Sequence, residues 1–190
     1  MIISTDRRFA FVHVPKTGGT SICRALAEPG DMTFIGRLQH PIGKRMRQEV
    51  GDQKWTELFT FAFVRNPWSR LVEWYIAIRQ RPSHPHHVRA RVQLVQFEEF
   101  LKYAPNFGIP IWRNQVDWIT DGDRTIVDFV GRFEMLGDDF AAVCQKIGVT
   151  AEVPHKASQF DYRAFYGPKL RGFVSEKYSR DIEAFGYTFQ

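Results

Sequence analysis

The strongest constraint in this sequence is a junction. The apolar run Arg8-Phe9-Ala10-Phe11-Val12-His13-Val14 passes directly into Pro15-Lys16-Thr17-Gly18-Gly19-Thr20-Ser21. Ile22, Ala25 and Leu26 then recur at helical spacing until Pro29-Gly30. A buried strand, a glycine-rich turn and a helix follow one another without a spacer. Two adjacent glycines let the backbone turn and approach a ligand closely. The turn opens a helix N-terminus, where backbone N–H groups and the helix dipole favour an anion. Thr17, Thr20 and Ser21 add hydroxyl donors and Lys16 adds a positive charge. This is the composition of a phosphate cradle. It is not a Walker A loop, because the lysine precedes the glycines.

The rest of the chain repeats the alternation. Ile42, Met46 and Val50 recur every four residues up to Gly51, and a second short helix is expected over 53–58. The run 59–64 reads as a strong strand. Asn66-Pro67 reads as an N-cap followed by proline at the first helical position, with Leu71, Trp74, Tyr75 and Ile78 as the apolar face. Residues 80–92 form a loop rich in Arg, His and Pro, and a helix is expected over 97–103. A third strand is expected over 126–130. Leu136, Phe140, Val143 and Ile147 mark an amphipathic helix closed by Gly148. The loop 154–158 then leads to one last helix carrying Val174, Tyr178, Ile182 and Phe185. Strands alternating with helices imply an α/β fold with a mainly parallel central sheet flanked by helices. At 190 residues, a single domain over 1–190 is expected. Ligands of such sheets sit beyond the carboxyl ends of the strands. The loops 15–21 and 65–69 both occupy such ends.

Composition narrows the ligand without choosing it. Lys and Arg number 26 against 21 Asp and Glu, a net charge of +5. That suits a nucleotide, a phosphate, a sulfated glycan or a solvated basic surface equally. No nucleic-acid motif accompanies the charge. No stretch is long and apolar enough to span a membrane, and Asp6, Arg7 and Arg8 interrupt any signal peptide, so a cytoplasmic location is expected. The two cysteines, Cys23 and Cys144, have no metal-like spacing and read as buried free thiols.

The second loop is Val64-Arg65-Asn66-Pro67-Trp68-Ser69-Arg70-Leu71-Val72. A guanidinium at a strand end forks onto a phosphate, and Ser69 lies in the first turn of the next helix. Alone, this pattern is common. Beside the first loop it implies a ligand with two separated phosphates.

Here the sequence resembles a family. Phe11 to Ser21 is similar to the 5′-phosphosulfate loop of sulfotransferases that use 3′-phosphoadenosine 5′-phosphosulfate (PAPS), and Phe63 to Val72 is similar to their 3′-phosphate loop. Gly131-Arg132-Phe133-Glu134, Pro154-His155-Lys156 and Phe185-Gly186-Tyr187-Thr188-Phe189 extend the likeness over nearly the whole chain, nearest the bacterial and Golgi carbohydrate group. The resemblance implies a P-loop-like nucleotide-binding sulfotransferase fold and transfer of a sulfuryl group to a hydroxyl, with PAPS as donor, PAP as product and no metal required. Lys16 would neutralise the bridging oxygen and the leaving phosphate. The backbone of Thr17, Gly18, Gly19 and Thr20 and the hydroxyls of Thr20 and Ser21 would hold the 5′-phosphate. Arg65 would hold the 3′-phosphate, and Lys156 and Ser158 would close over the nucleotide. One position departs: the family's second 3′-phosphate ligand, a serine eight residues after the arginine, is Glu73 here. A carboxylate beside a phosphate is repulsive unless paired or turned away. Ser69, one turn earlier, is expected to take over the contact, with Glu73 paired to an arginine.

The acceptor hydroxyl must lose a proton, which calls for a histidine or a glutamate. Gln39-His40-Pro41-Ile42-Gly43 resembles a family stretch with a histidine just before a helix, so His40 is the expected general base, with His155 and Glu73 next. His13 lies within the first strand and reads as structural. His84, His86 and His87 read as a solvated loop. Lys44, Arg45 and Arg47, and the arginines of 79–91, suit an anionic or sugar acceptor as well as they suit mere solubility. Two rivals remain at this level. A P-loop-type kinase would need a lysine after the glycines and an acidic Mg²⁺ ligand; Asp128 lies inside the third strand, with Asp121 and Asp123 nearby. A nucleotide- or glycan-binding relative with lost catalysis would account for Glu73.

Overall fold

The computed structural model describes residues 2–27, 42–82, 96–103, 110–153 and 160–190. The chain forms two compact units. One comprises Met1–Arg65 and Gln115–Ala157, the other Asn66–Asn114 and Ser158–Gln190.

The first unit holds the central sheet. Strands β1 (Ile2–Ser4), β2 (Phe9–Val12), β3 (Phe59–Val64) and β6 (Phe129–Arg132) lie in the order β1-β2-β3-β6. β1 is antiparallel to β2, whereas β2–β3 and β3–β6 are parallel. A two-stranded ribbon pairs β4 (Thr120–Asp121) with β5 (Arg124–Thr125). The helices of this unit are α1 (Gly19–Leu26), α2 (Gly43–Val50), α3 (Asp52–Glu57), α6 (Val116–Ile119) and α7 (Leu136–Ile147). Strand alternation sets the faces. Phe9, Phe11, Phe61 and Phe63 point to one side and pack with Ile22 and Leu26 of α1 and Leu136, Phe140 and Val143 of α7. The Phe11 and Phe61 rings stack at 5.1 Å between centroids. On the other side, Gly43 brings α2 against Val12.

The third strand begins later than the apolar run 126–130 suggests. The Ile126 carbonyl accepts from Trp55 Nε1 at 3.0 Å. Asp128 is tied to β3: its Oδ2 accepts from Thr60 N and Thr60 Oγ1, both at 2.8 Å. That carboxylate pins the β3–β6 register, and pairing starts only at Phe129. β1 carries no alternation of its own and was not expected; it covers the edge of β2.

The second unit contains α4 (Pro67–Gln80), α5 (Phe97–Tyr103), α8 (Pro168–Lys177) and α9 (Ser179–Phe185). Asn66 caps α4 as its sequence demands, with Oδ1 accepting from Trp68 N at 3.1 Å and Ser69 N at 3.3 Å. The expected single last helix is two helices, broken at Tyr178. The break accompanies a buried polar knot: the Tyr178 hydroxyl donates to the Ile111 carbonyl at 2.9 Å, and Asp181 faces Arg70 at 3.8 Å. Among the described residues no helix is long and apolar enough to cross a membrane.

Both cysteines are free thiols. Cys144 is buried, and its burial pushes the thiol pKa up, but Cys23 is only half-buried.

Candidate functional site

Three chain segments converge past the carboxyl ends of three neighbouring parallel strands. They are the loop after β2, Arg65 after β3 and Phe133 after β6. Phe133 joins the other two. The Arg65 guanidinium carbon lies 4.0 Å from the centre of its ring. On the loop side, a Cβ built on Gly18 would meet Phe133 Cδ2 at 3.3 Å and Leu136 Cδ2 at 3.1 Å. The arginine and the glycine-rich loop therefore rest on one aromatic side chain.

The loop is shaped from within. Lys16 has φ of 69° and Gly18 has φ of 84°, both left-handed, on either side of Thr17. Thr17 is fully buried, and its hydroxyl donates to the Val14 carbonyl at 2.9 Å. The Thr17 hydroxyl is thus committed to the loop and is not a ligand donor; only its backbone can serve there. This corrects the reading of Thr17 as a hydroxyl donor. Left-handed residues interleaved in a turn aim successive N–H groups into a concavity that suits an anion. Gly18 is the N-cap of α1, and helix geometry leaves the first N–H groups, including those of Gly19 and Thr20, without intrahelical partners. Thr20 is exposed, while Lys16 and Ser21 are half-buried.

Gly19 is fixed by packing. A Cβ there would lie 1.9 Å from Cδ2 of His13, whose ring stacks on Phe11 at 5.7 Å. His13 thus packs between Gly19 and Phe11. Gly19→Ala forces the imidazole and the first turn of α1 apart, at about 1–3 kcal/mol. The double variant His13→Ala/Gly19→Ala is expected to recover most of that loss in thermal denaturation. Equal melting temperatures for the single and double variants would show that the contact is not the constraint.

Arg65 is 3% exposed. Its backbone N–H donates to Gln115 Oε1 at 2.9 Å, and Gln115 Nε2 donates to its carbonyl at 2.8 Å. Gln115 is fully buried. Nothing in the sequence pattern singled it out, since a lone glutamine between Asn114 and Val116 has no periodic or motif signature.

Ser69 belongs to the second unit, in the first turn of α4, 7% exposed. Glu73 follows one turn later and is half-buried. Arg70, inside the same motif, is an interior residue of that unit rather than a surface cation. The terminal motif is likewise structural: Asn66 Nδ2 donates to the Thr188 carbonyl at 3.0 Å, and Phe189 packs edge-on to Trp68. His40, Lys156 and Ser158 lie outside the described residues, as do His155, His84, His86 and His87.

The basic cluster on α2 is already matched by carboxylates. Lys44 pairs with Asp121 at 2.7 Å, Arg45 with Glu49 at 2.9 Å and Arg47 with Asp52 at 2.7 Å. Its suitability for an anionic acceptor is correspondingly reduced.

The residues fit an anionic nucleotide on two counts. Left-handed Lys16 and Gly18 turn the loop into the N-terminus of α1, and a buried arginine shares the Phe133 contact with it. A family model described as "Sulfotransferase family" matches residues 1–188. An archaeal protein from Archaeoglobus fulgidus, described only as uncharacterized, is 28% identical over 108 residues, covering 57% of this chain and 82% of its own length. No solved structure matches. With the match running through both units and both loops, the chain belongs to the sulfotransferase family.

Proposed function

We propose that this protein transfers a sulfuryl group from PAPS to a hydroxyl of a carbohydrate or glycoconjugate. The observation that carries the donor reading is the shared Phe133 contact. The glycine-rich loop and a buried arginine both lie against it at adjacent parallel strand ends, which supports a ligand with two separated phosphates. When bound, PAPS supplies an activated sulfuryl group and a phosphate leaving group. Lys16 and the N–H groups of 17–20, with the Thr20 and Ser21 hydroxyls, would hold the 5′-side. Arg65 would hold the 3′-phosphate. Lys156 and Ser158 would close over the nucleotide. A preorganised cation and fixed dipoles favour charge developing on the leaving oxygen more than water does. His40 is the proposed general base.

A single catalytic domain over 1–190 is part of this proposal, supported by a family match that runs through both units. The carbohydrate acceptor is supported by the likeness to the carbohydrate group. Calorimetric titration with PAP in the absence of Mg²⁺, with ADP as control, tests the donor site. PAP is expected to bind at least about tenfold more tightly than ADP, a margin of ~1.4 kcal/mol, and Arg65→Ala is expected to erase it. Equal affinities in the wild-type protein would remove the 3′-phosphate site and with it the PAPS reading.

A further inference from the structure

We infer that Gln115 is a positioning residue for Arg65 and sets the preference for a nucleotide that carries a 3′-phosphate. The inference rests on the reading of Arg65 as the 3′-phosphate ligand.

Arg65 stands one residue beyond β3. The β3–β6 ladder ends with Val64 opposite Arg132, so the next peptide groups have no strand neighbour in that register. Buried backbone groups need partners all the same. Gln115 supplies both from one side chain, an acceptor for the Arg65 N–H and a donor for its carbonyl. A side-chain amide does this without charge: a carboxylate has no donor, an ammonium has no acceptor, and leucine has neither. The choice of glutamine at a fully buried position is thus explained by the two groups it faces.

The same two bonds tie together the point where the chain leaves the first unit, after Arg65, and the point where it returns, at Gln115. The backbone of Arg65 is clamped at one end of the side chain. Phe133 holds the guanidinium at the other. Arginine loses much rotamer freedom when it grips a phosphate, and a side chain fixed at both ends has lost it in advance. Releasing the clamp lets the backbone at Arg65 move while the 13–21 loop, built from β2 and α1, stays as it is. The effect should therefore fall on the 3′-phosphate and spare the 5′-phosphate.

The test compares PAP with AMP, which differs from it only by the 3′-phosphate, by calorimetry on the full chain. In Gln115→Leu the ratio of PAP to AMP affinity is expected to fall about tenfold, with AMP binding unchanged within about twofold. Gln115→Glu keeps the volume and the acceptor but loses the donor, and is expected to lower the ratio by a smaller factor; it carries the test where the leucine variant does not fold. A wild-type ratio in either folded variant overturns the inference. So does an equal loss for both nucleotides, which is what a purely structural role predicts. A wild-type protein without any PAP preference overturns the donor reading itself, and that is seen before any variant is made.

Discussion

Replacing Lys16 by alanine is expected to cut sulfuryl transfer by about 10²–10³-fold, the usual loss when one preorganised charge-stabilising group is removed. Replacing it by glycine is expected to cut transfer as deeply while raising the melting temperature. The second half follows from the backbone. Lys16 is one of two described non-glycine residues with positive φ, at 69°. A side chain in that region costs about 1–3 kcal/mol. Glycine adopts it without strain but gives back about 0.5–1 kcal/mol through the freedom of its unfolded chain. The balance is a gain on the order of 1 kcal/mol, or about 2–4 °C for a chain of this size. Alanine keeps the strain and should leave the melting temperature nearly unchanged. PAP release from PAPS, measured with a hydroxyl acceptor that supports turnover, reads the first effect, and a thermal melt reads the second. A glycine variant with full transfer would mean that the lysine is not in the chemistry. A glycine variant that melts lower would mean that contacts of the side chain outweigh the backbone strain. Both effects together would show a residue kept against its conformational preference for what its ammonium does.

The parts of the fold that could be read in the sequence are those where one local signal suffices. The phenylalanines of β2 and β3 face one side at alternate positions. Asn66-Pro67 starts α4, and Gly148, left-handed at φ of 66°, ends α7. The parts that could not be read depend on a partner far along the chain. β6 starts at Phe129 because Asp128 is held by Thr60, sixty-eight residues away. α8 and α9 separate at Tyr178 because a hydroxyl and a carboxylate must both turn inward there. Neither partner leaves a periodic trace.

The candidate site divides in the same way. Lys16, Gly18, Gly19 and Arg65 stand in contiguous motifs, and chain order alone places them at strand ends. Phe133 and Gln115 lie far along the chain from both motifs, Gln115 being 50 residues from Arg65. Phe133 did lie in a motif similar to the family's, Gly131-Arg132-Phe133-Glu134, but as a supporting likeness without a role. The structure supplies the role. It also explains Gly131, where a Cβ would fall 2.5 Å from Cε1 of Phe63. Motif membership alone assigns no role to Arg70. It sits five residues after Arg65 in a phosphate-loop motif, yet it is 1% exposed.

That buried arginine leads to the largest expected effect on stability. In the second unit, the Arg70 guanidinium donates from Nη2 to the carbonyls of Ile111 at 3.2 Å and Arg113 at 3.4 Å. Its Nη1 lies 3.8 Å from Oδ2 of Asp181, which is fully buried. Desolvation lowers the Arg70 pKa, and Tyr178, Asp181 and Tyr187 oppose that shift. A buried charge stripped of its counter-charge is worse than no charge, because its desolvation remains. Asp181→Asn and Arg70→Met are therefore each expected to destabilise the protein by about 3–5 kcal/mol. At about 2–4 °C per kcal/mol, that is a fall of about 10 °C. The double variant Arg70→Met/Asp181→Asn removes both charges and is expected to cost less than the two single variants added together. Chemical denaturation of the four proteins gives the cycle. Single variants costing under about 1 kcal/mol would mark the pair as no more than an exposed bridge in effect. Strict additivity would mean that the two charges do not depend on each other. The same proteins separate structure from binding. If Arg70 serves only the interior of its unit, folded Arg70→Met at low temperature keeps its affinity for PAP, whereas Arg65→Ala loses it without a comparable loss of stability.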